Sequence, residues 1–206
     1  MNNNLLEIKN LSKIYHTKEK ETLALENISF NIKEKEFISL VGPSGCGKST
    51  ILTILANIIK DYKGTIKYSK NNPKIGYMLQ EDSLFPWKTV LENACLGLEI
   101  KKELNKETKQ NVINLLNKYG LKDFINSYPS SLSGGLKQRV ALIRTLAINP
   151  DILLLDEPFS ALDYQTRLAL SDDLKNIINE ENKTTIMVTH DITEAISMSD
   201  KVIILT

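Results

Sequence analysis

The strand-like run Phe37-Ile38-Ser39-Leu40-Val41 leads directly into Gly42-Pro43-Ser44-Gly45-Cys46-Gly47-Lys48-Ser49, and Ile51, Leu52, Leu55, Ile58 and Ile59 then recur at helical spacing over residues 48–60. Strand, glycine-rich loop and helix in that order leave a chain few folds. The strand needs covering on both faces, and the loop must open at the edge of the sheet. Glycines let successive backbone N–H groups turn inward around a polyphosphate, and the positive end of the helix adds to their field. Lys48 is then placed to reach the β- and γ-phosphates, and the Ser49 hydroxyl to ligate Mg²⁺. A purely structural glycine turn is the plainer alternative, and the strand and helix on either side argue against it.

The remaining segments supply partners for this unit. Residues 5–15 and 23–32 alternate apolar and polar side chains as half-buried antiparallel strands do, with a charged turn at 17–22. Short strands are expected at 65–68 and 74–79, the second ending at Gln80. Composition then changes: residues 101–119 are charged and helix-favouring, with Val112, Leu115, Leu116 and Tyr119 as the buried side. Those charges read as a solvated helical face rather than a docking surface. Pro150 closes the preceding helix, and Ile152-Leu153-Leu154-Leu155 is uniformly apolar, as a central parallel strand requires. Residues 184–189 and 201–205 repeat the strand pattern with helical segments between, so the expected class is α/β.

Composition excludes several classes. With 206 residues, 42% hydrophobic and 25% charged, the chain suits one soluble globular domain. Its longest apolar stretches, such as 51–59, are broken by Thr53 and Asn57 and fall short of a bilayer span. A net charge of +1 with interspersed signs offers no field to gather nucleic acid. The start carries no basic region followed by an apolar core, which leaves the cytoplasm as the default compartment. Cys46 and Cys95 form no framework and no metal-ligand spacing with His16 or His190, so both are read as free thiols, Cys46 as a small tolerated side chain.

Asp156 follows the apolar strand 152–155 directly, which puts a carboxylate at the strand's C-terminal end beside the phosphate loop. It is suited to hold Mg²⁺ through a water. Glu157 comes next and points differently, where it can polarise an attacking water. An exposed acidic turn is the alternative.

Between these motifs stands Leu132-Ser133-Gly134-Gly135-Leu136-Lys137-Gln138-Arg139, which resembles the signature motif of the ATP-binding cassette family. Its local chemistry agrees: Ser133 is a good helix N-cap, and Gly134 and Gly135 permit close approach of backbone to phosphate. The resemblance covers essentially the whole chain. It implies a P-loop NTPase (RecA-like) core with an antiparallel β subdomain and an inserted helical subdomain, the core at about 1–85 and 150–206 and the helical part at about 86–149. ATP and Mg²⁺ are the implied cofactors, bound at Gly42, Pro43, Ser44, Gly45, Cys46, Gly47, Lys48, Ser49 and Thr50. Tyr15 resembles the aromatic that stacks on adenine, and Gln80 the glutamine that senses metal, water and the membrane partner. Ser49, Gln80 and Asp156 are the implied metal residues; Glu157, His190, Gln80 and Lys48 the implied catalytic ones. Ser133, Gly134 and Gly135 would bind the γ-phosphate of ATP held by a second copy, and Ser160-Ala161-Leu162-Asp163 would cross between the copies.

Departures from the family pattern are few. Lys35 replaces a turn glycine and suggests a different local turn; Asn57 replaces another glycine and can take the same backbone. Leu136 leaves the backbone phosphate site intact. The family usually continues for several elements beyond the position of Thr206, so this end is expected to be shortened.

The implied working unit is a homodimer, peripheral on the cytoplasmic face of the membrane, with separate permease subunits and a solute-binding protein. The segment 85–93, together with 156–163 and Thr166-Arg167, is similar to importers of the nitrate, sulfonate and taurine branch. Two readings stay open for Trp87: a contact to the permease, or a core anchor. Cassette ATPases of DNA repair would carry a long heptad insertion, a GTPase an Asn-Lys-x-Asp motif, and the chain has neither. A regulatory cassette would tend to lose Glu157 or His190, and both are present.

Overall fold

The structure is a computed structural model, and it describes residues 4–16, 20–160 and 162–206. Alternating apolar side chains build the first sheet: β1 (Asn4–His16) lies between β2 (Glu21–Lys33) and β4 (Lys63–Tyr68), antiparallel to both. Leu6, Ile8, Leu11 and Ile32 turn inward from it and are fully buried. Part of the turn expected at 17–22, residues 17–19, lies outside the described residues.

The second sheet is parallel and five-stranded. Its order is β5 (Ile75–Met78), β6 (Ile152–Asp156), β7 (Thr184–Thr189), β3 (Phe37–Val41) and β8 (Lys201–Ile204). Period-two alternation with a core on each face explains why its central strands β6, β7 and β3 are buried along their whole length. Ile152 and Leu154 join a core with Ile38, Leu40 and the antiparallel sheet, while Leu153 and Leu155 face the helices on the other side. Those helices are α2 (Val90–Ile100), α3 (Lys106–Lys118), α4 (Gly134–Leu146) and α5 (Tyr164–Glu180). The first core also takes α1 (Lys48–Leu55), and α6 (Ile192–Met198) packs near β3 and β7.

Three expectations are corrected. The helix after the phosphate loop stops at Leu55 instead of reaching residue 60, because Asn57 takes φ 59° and the N–H groups of Ile58 and Ile59 both fold back to the Thr53 carbonyl. Ile58 consequently leaves the core and is 64% exposed. The helix expected over 101–119 begins only at Lys106: Lys102 has φ 57°, and Asn105 caps the new helix by accepting from the Thr108 N–H at 2.9 Å. Its buried side is as expected, Val112 and Leu116 fully and Leu115 and Tyr119 partly.

Lys35 does not change the turn it occupies. It adopts φ 62°, the glycine-like conformation itself, and its N–H donates to the Thr184 hydroxyl at 2.7 Å. A side chain in that region costs about 1 kcal/mol or more. Lys35→Gly is therefore expected to stabilise the fold by about 0.5–1 kcal/mol after glycine's own entropy loss, read as a higher denaturation midpoint. A lower midpoint would show that the lysine side chain contributes something the strain does not cancel.

Candidate functional site

Parallel register delivers the motifs to one place. Val41 lies beside Thr189, Asp156 beside Val188 and Met78 beside Leu155, so these strands end along the same edge of the sheet. Whatever follows each strand is presented there: the loop 42–49 after β3, Gln80 after β5, Glu157 after β6 and His190 after β7.

The loop is held by close backbone packing. Gly47 has φ 93°, and a Cβ there would come within 2.4 Å of the Ala24 carbonyl oxygen and 2.5 Å of Leu25 Cδ2. No side chain fits, so β2 can lie directly against the loop. Lys48 is only 5% exposed; its ammonium curls under the loop and donates to the carbonyls of Gly42 at 2.8 Å and Pro43 at 2.9 Å. Cys46 is half-buried, its Sγ 3.9 Å from that ammonium. A buried lysine beneath a loop whose Gly45 and Gly47 take φ 85° and 93° suits a polyphosphate.

An open cleft of about 490 Å³ covers the loop. Tyr15 and residues 22–24 line it, with Ser44, Gly45, 47–50, Gln80 and Glu157. The Tyr15 hydroxyl lies 3.5 Å from Thr50 Oγ1, and the residue is 37% exposed. Lys13, buried beside it, places its ammonium 5.0 Å from the ring centre and pairs with Asp61 at 3.0 Å, which holds the Asp61 carboxyl below its ordinary range. A second cleft of about 360 Å³ beside Lys118, Arg139 and Glu180 gathers none of the expected site residues.

The two acids diverge as expected, and the backbone shows why. Asp156 ends β6 in regular geometry, while Glu157 takes φ 45° with its N–H donating to the Val188 carbonyl at 2.9 Å. That conformation costs a non-glycine residue roughly 1–3 kcal/mol and ends the strand at Asp156. Glu157 Oε2 then meets His190 Nδ1 at 3.2 Å. His190 itself is exposed, but its turn is anchored: the buried Thr189 hydroxyl donates to Glu194 at 2.6 Å and accepts from the Asp191 N–H at 3.0 Å. Burial raises the Glu194 carboxyl. Gln80 donates to the Ser160 hydroxyl at 3.3 Å, tying it to the segment 160–163, of which Ala161 lies outside the described residues.

Asp156 is 7% exposed and accepts from Ser49 Oγ and from the Tyr77 hydroxyl, each at 2.9 Å. Burial, then the Asp156 charge, push the Tyr77 phenol well above its ordinary range, so it stays a donor. A hydroxyl and a carboxylate facing each other are the hard oxygen donors that Mg²⁺ takes. Among the described residues no three His, Cys, Asp or Glu side chains gather around a metal position. Such an ion would draw its other ligands from phosphate and water, which fits an ion that arrives with a nucleotide.

Ser133, Gly134 and Gly135 are not among the residues lining this cleft. They begin α4, where Ser133 Oγ accepts from the Leu136 N–H at 3.4 Å and a Cβ on Gly134 would sit 3.0 Å from Leu162. Ser133 and Gly134 are exposed, a helix N-terminus facing outward from its own chain.

Trp87 is resolved in favour of the surface. It is 70% exposed and stacks on Phe85 with ring centres 5.1 Å apart, which removes the core-anchor reading. Asn93, fully buried, holds the loop beneath it: Oδ1 accepts from the Phe85 N–H at 2.8 Å, and Nδ2 reaches the carbonyls of Phe85, Lys88 and Thr89 at 2.9–3.1 Å. Lys13 and Tyr77 belong to no motif that marks them in the sequence, whereas Asn93 closes the segment 85–93. A Thr89-x-x-Glu92 capping box, present here, does mark the start of α2 and with it the inward position of Asn93.

The family described as ABC transporter matches residues 25–160. The chain belongs to the ABC transporter family. It is an ATPase cassette with a P-loop NTPase fold. It is 46% identical over 202 residues to the ABC transporter ATP-binding protein YtlC of Bacillus subtilis, covering 96% of this chain and 78% of that one. It is 41% identical over 204 residues to the aliphatic sulfonates import ATP-binding protein SsuB of Bacillus cereus, covering 97% of this chain and 80% of that one. The spermidine/putrescine import protein PotA of Mycoplasma capricolum is 40% identical over 213 residues, covering 100% and 60%. Among solved structures, the dimeric post-hydrolysis state of the cassette MJ0796 bound to ADP and Pi superposes with a TM-score of 0.81 at 36% identity, covering 98% of this chain and 94% of that one. No helix among the described residues is long and apolar enough to cross a membrane.

Proposed function

We propose that this ABC ATPase powers a membrane importer, working as a pair of identical cassettes bound to separate permease subunits at the cytoplasmic face. One observation carries the reading: the cleft collects Tyr15, Lys48, Ser49, Gln80 and Glu157, while Ser133 and Gly134, exposed at the start of α4, take no part in lining it. A second copy related by a two-fold axis brings its signature helix to the first copy's cleft and receives the first copy's helix in return.

Within each site, Lys48 and the loop N–H groups hold the phosphates, and the partner's helix N-terminus adds its positive end at the γ-phosphate. Ser49, Asp156 and Gln80 would hold Mg²⁺, which when bound would neutralise phosphate charge. Glu157 orients the attacking water and His190 positions Glu157 and the γ-phosphate. Tyr15 offers adenine its ring, with the Lys13 ammonium near that ring.

We assign the cargo to small anions of the nitrate, sulfonate and taurine type, delivered by a solute-binding protein. Support comes from the segment 85–93 with 156–163 and from the likeness to SsuB; the likeness to PotA makes polyamines the comparison to run. Reconstitution with the permease subunits that bind this chain tests it. Transport-stimulated ATP hydrolysis is expected with sulfonates or nitrate, and stimulation by spermidine alone would replace the anion assignment.

The Phe85–Trp87 stack is the proposed permease contact. Trp87→Ala is expected to leave nucleotide affinity unchanged and lower permease-stimulated hydrolysis about tenfold, the effect of losing one aromatic anchor of roughly 1–2 kcal/mol. Unchanged co-purification and coupling would place the contact elsewhere.

A further inference from the structure

Asp156 is gripped from two directions. Ser49, at the start of α1, donates to Oδ1, and Tyr77, on β5, donates to Oδ2, both at 2.9 Å. Tyr77 reaches it from the neighbouring strand, where it pairs with Leu154, two residues before the carboxylate. Its ring packs partly buried against the core shared by the two sheets. A carboxylate with one donor can rotate about its Cβ–Cγ bond; one with donors on both oxygens from separate elements has its plane fixed.

We infer that Tyr77 is a positioning residue for the metal site: by occupying Oδ2 it fixes the Asp156 carboxylate so that Oδ1 faces Ser49 and the phosphate loop. The inference rests on the ATPase reading, in which Asp156 and Ser49 serve Mg²⁺. It extends that reading to a residue outside the known motifs. Tyr77 also lies three positions before Gln80, so the strand that ends near Gln80 is tied to the strand that ends at Asp156. Hydrogen-bond partners of this kind, one step removed from the metal, are each worth about 10–100-fold in metal affinity.

Tyr77→Phe keeps the ring and removes only the hydroxyl. The test measures Mn²⁺ binding by electron paramagnetic resonance with a non-hydrolysable ATP analogue, alongside the Mg²⁺ half-saturation of hydrolysis and nucleotide affinity in EDTA. The expected result is metal binding weakened about tenfold with metal-free nucleotide affinity unchanged. Mn²⁺ affinity within about twofold of wild type overturns the proposal, being well short of the tenfold that such a partner is worth. An equal loss of metal-free nucleotide binding overturns it too, since that would locate the effect in the nucleotide pocket. Adding Tyr77→Phe to Asp156→Asn provides a second check: the hydroxyl change should then add little, and independent losses would sink the coupling. Wild-type protein that binds no nucleotide would defeat the ATPase reading itself, an outcome distinct from an indifferent Tyr77→Phe.

Discussion

Lys48→Ala is expected to abolish measurable ATP binding. Among the described residues lining the cleft, its ammonium is the only side-chain cation; the residue is almost fully buried, and two loop carbonyls hold the ammonium within the phosphate loop. Hydrogen bonds to charged groups are worth about 1.5–3 kcal/mol each, so losing two to phosphate oxygens weakens binding on the order of 100-fold or more. Titration calorimetry with ATP reads this directly. A thermal melt beside it separates lost binding from a loosened loop, since the substitution also strips the Gly42 and Pro43 carbonyls of their donor. Affinity equal to wild type in a folded variant would remove the phosphate-loop assignment.

Glu157→Gln separates binding from chemistry. The amide keeps the size of the carboxylate and can still approach His190, but it cannot draw a proton from water. Hydrolysis is expected to fall by about 10²–10⁴-fold, the usual contribution of a positioned general base, with ATP affinity retained. Because ATP bridges the two copies in the proposed pair, the unhydrolysed complex should accumulate as a dimer on size exclusion with ATP and Mg²⁺. Only monomer under those conditions counts against the composite site. Undiminished turnover would instead move the base to another residue.

Lys48 and Glu157 are both legible in the amino-acid sequence, and the reason is local. Phosphate binding by a loop depends on glycines, a lysine and a helix start that are contiguous in the chain. The acid pair likewise sits at the end of its own apolar strand. Helix lengths are less legible. Apolar spacing alone runs through Ile58 and Ile59, whereas Asn57 can stop the helix by turning left-handed, and whether it does depends on where Ile58 would have to pack. The break at Lys102 is similar: a charged, helix-favouring composition carries no mark of the one residue at which the chain turns. Lys35 shows the opposite case, a non-glycine forced into a glycine's conformation because its N–H and the flanking strands are already committed.

By itself, the order of motifs along the chain determined the α/β class, the phosphate loop, the acid pair and the signature helix, since each is written within a few consecutive residues. Only the tertiary structure decided which of them share a cleft. Parallel register lines up the ends of β3, β5, β6 and β7, and that alignment, set by side-chain packing on both faces of the sheet, brings Ser49 to Asp156 across 107 residues and Tyr77 to Asp156 across 79. It also turned Trp87 outward over the buried Asn93 and left Ser133–Gly135 outside the lining of their own chain's cleft. Contacts of this range depend on how layers stack, and no short stretch of sequence carries that information.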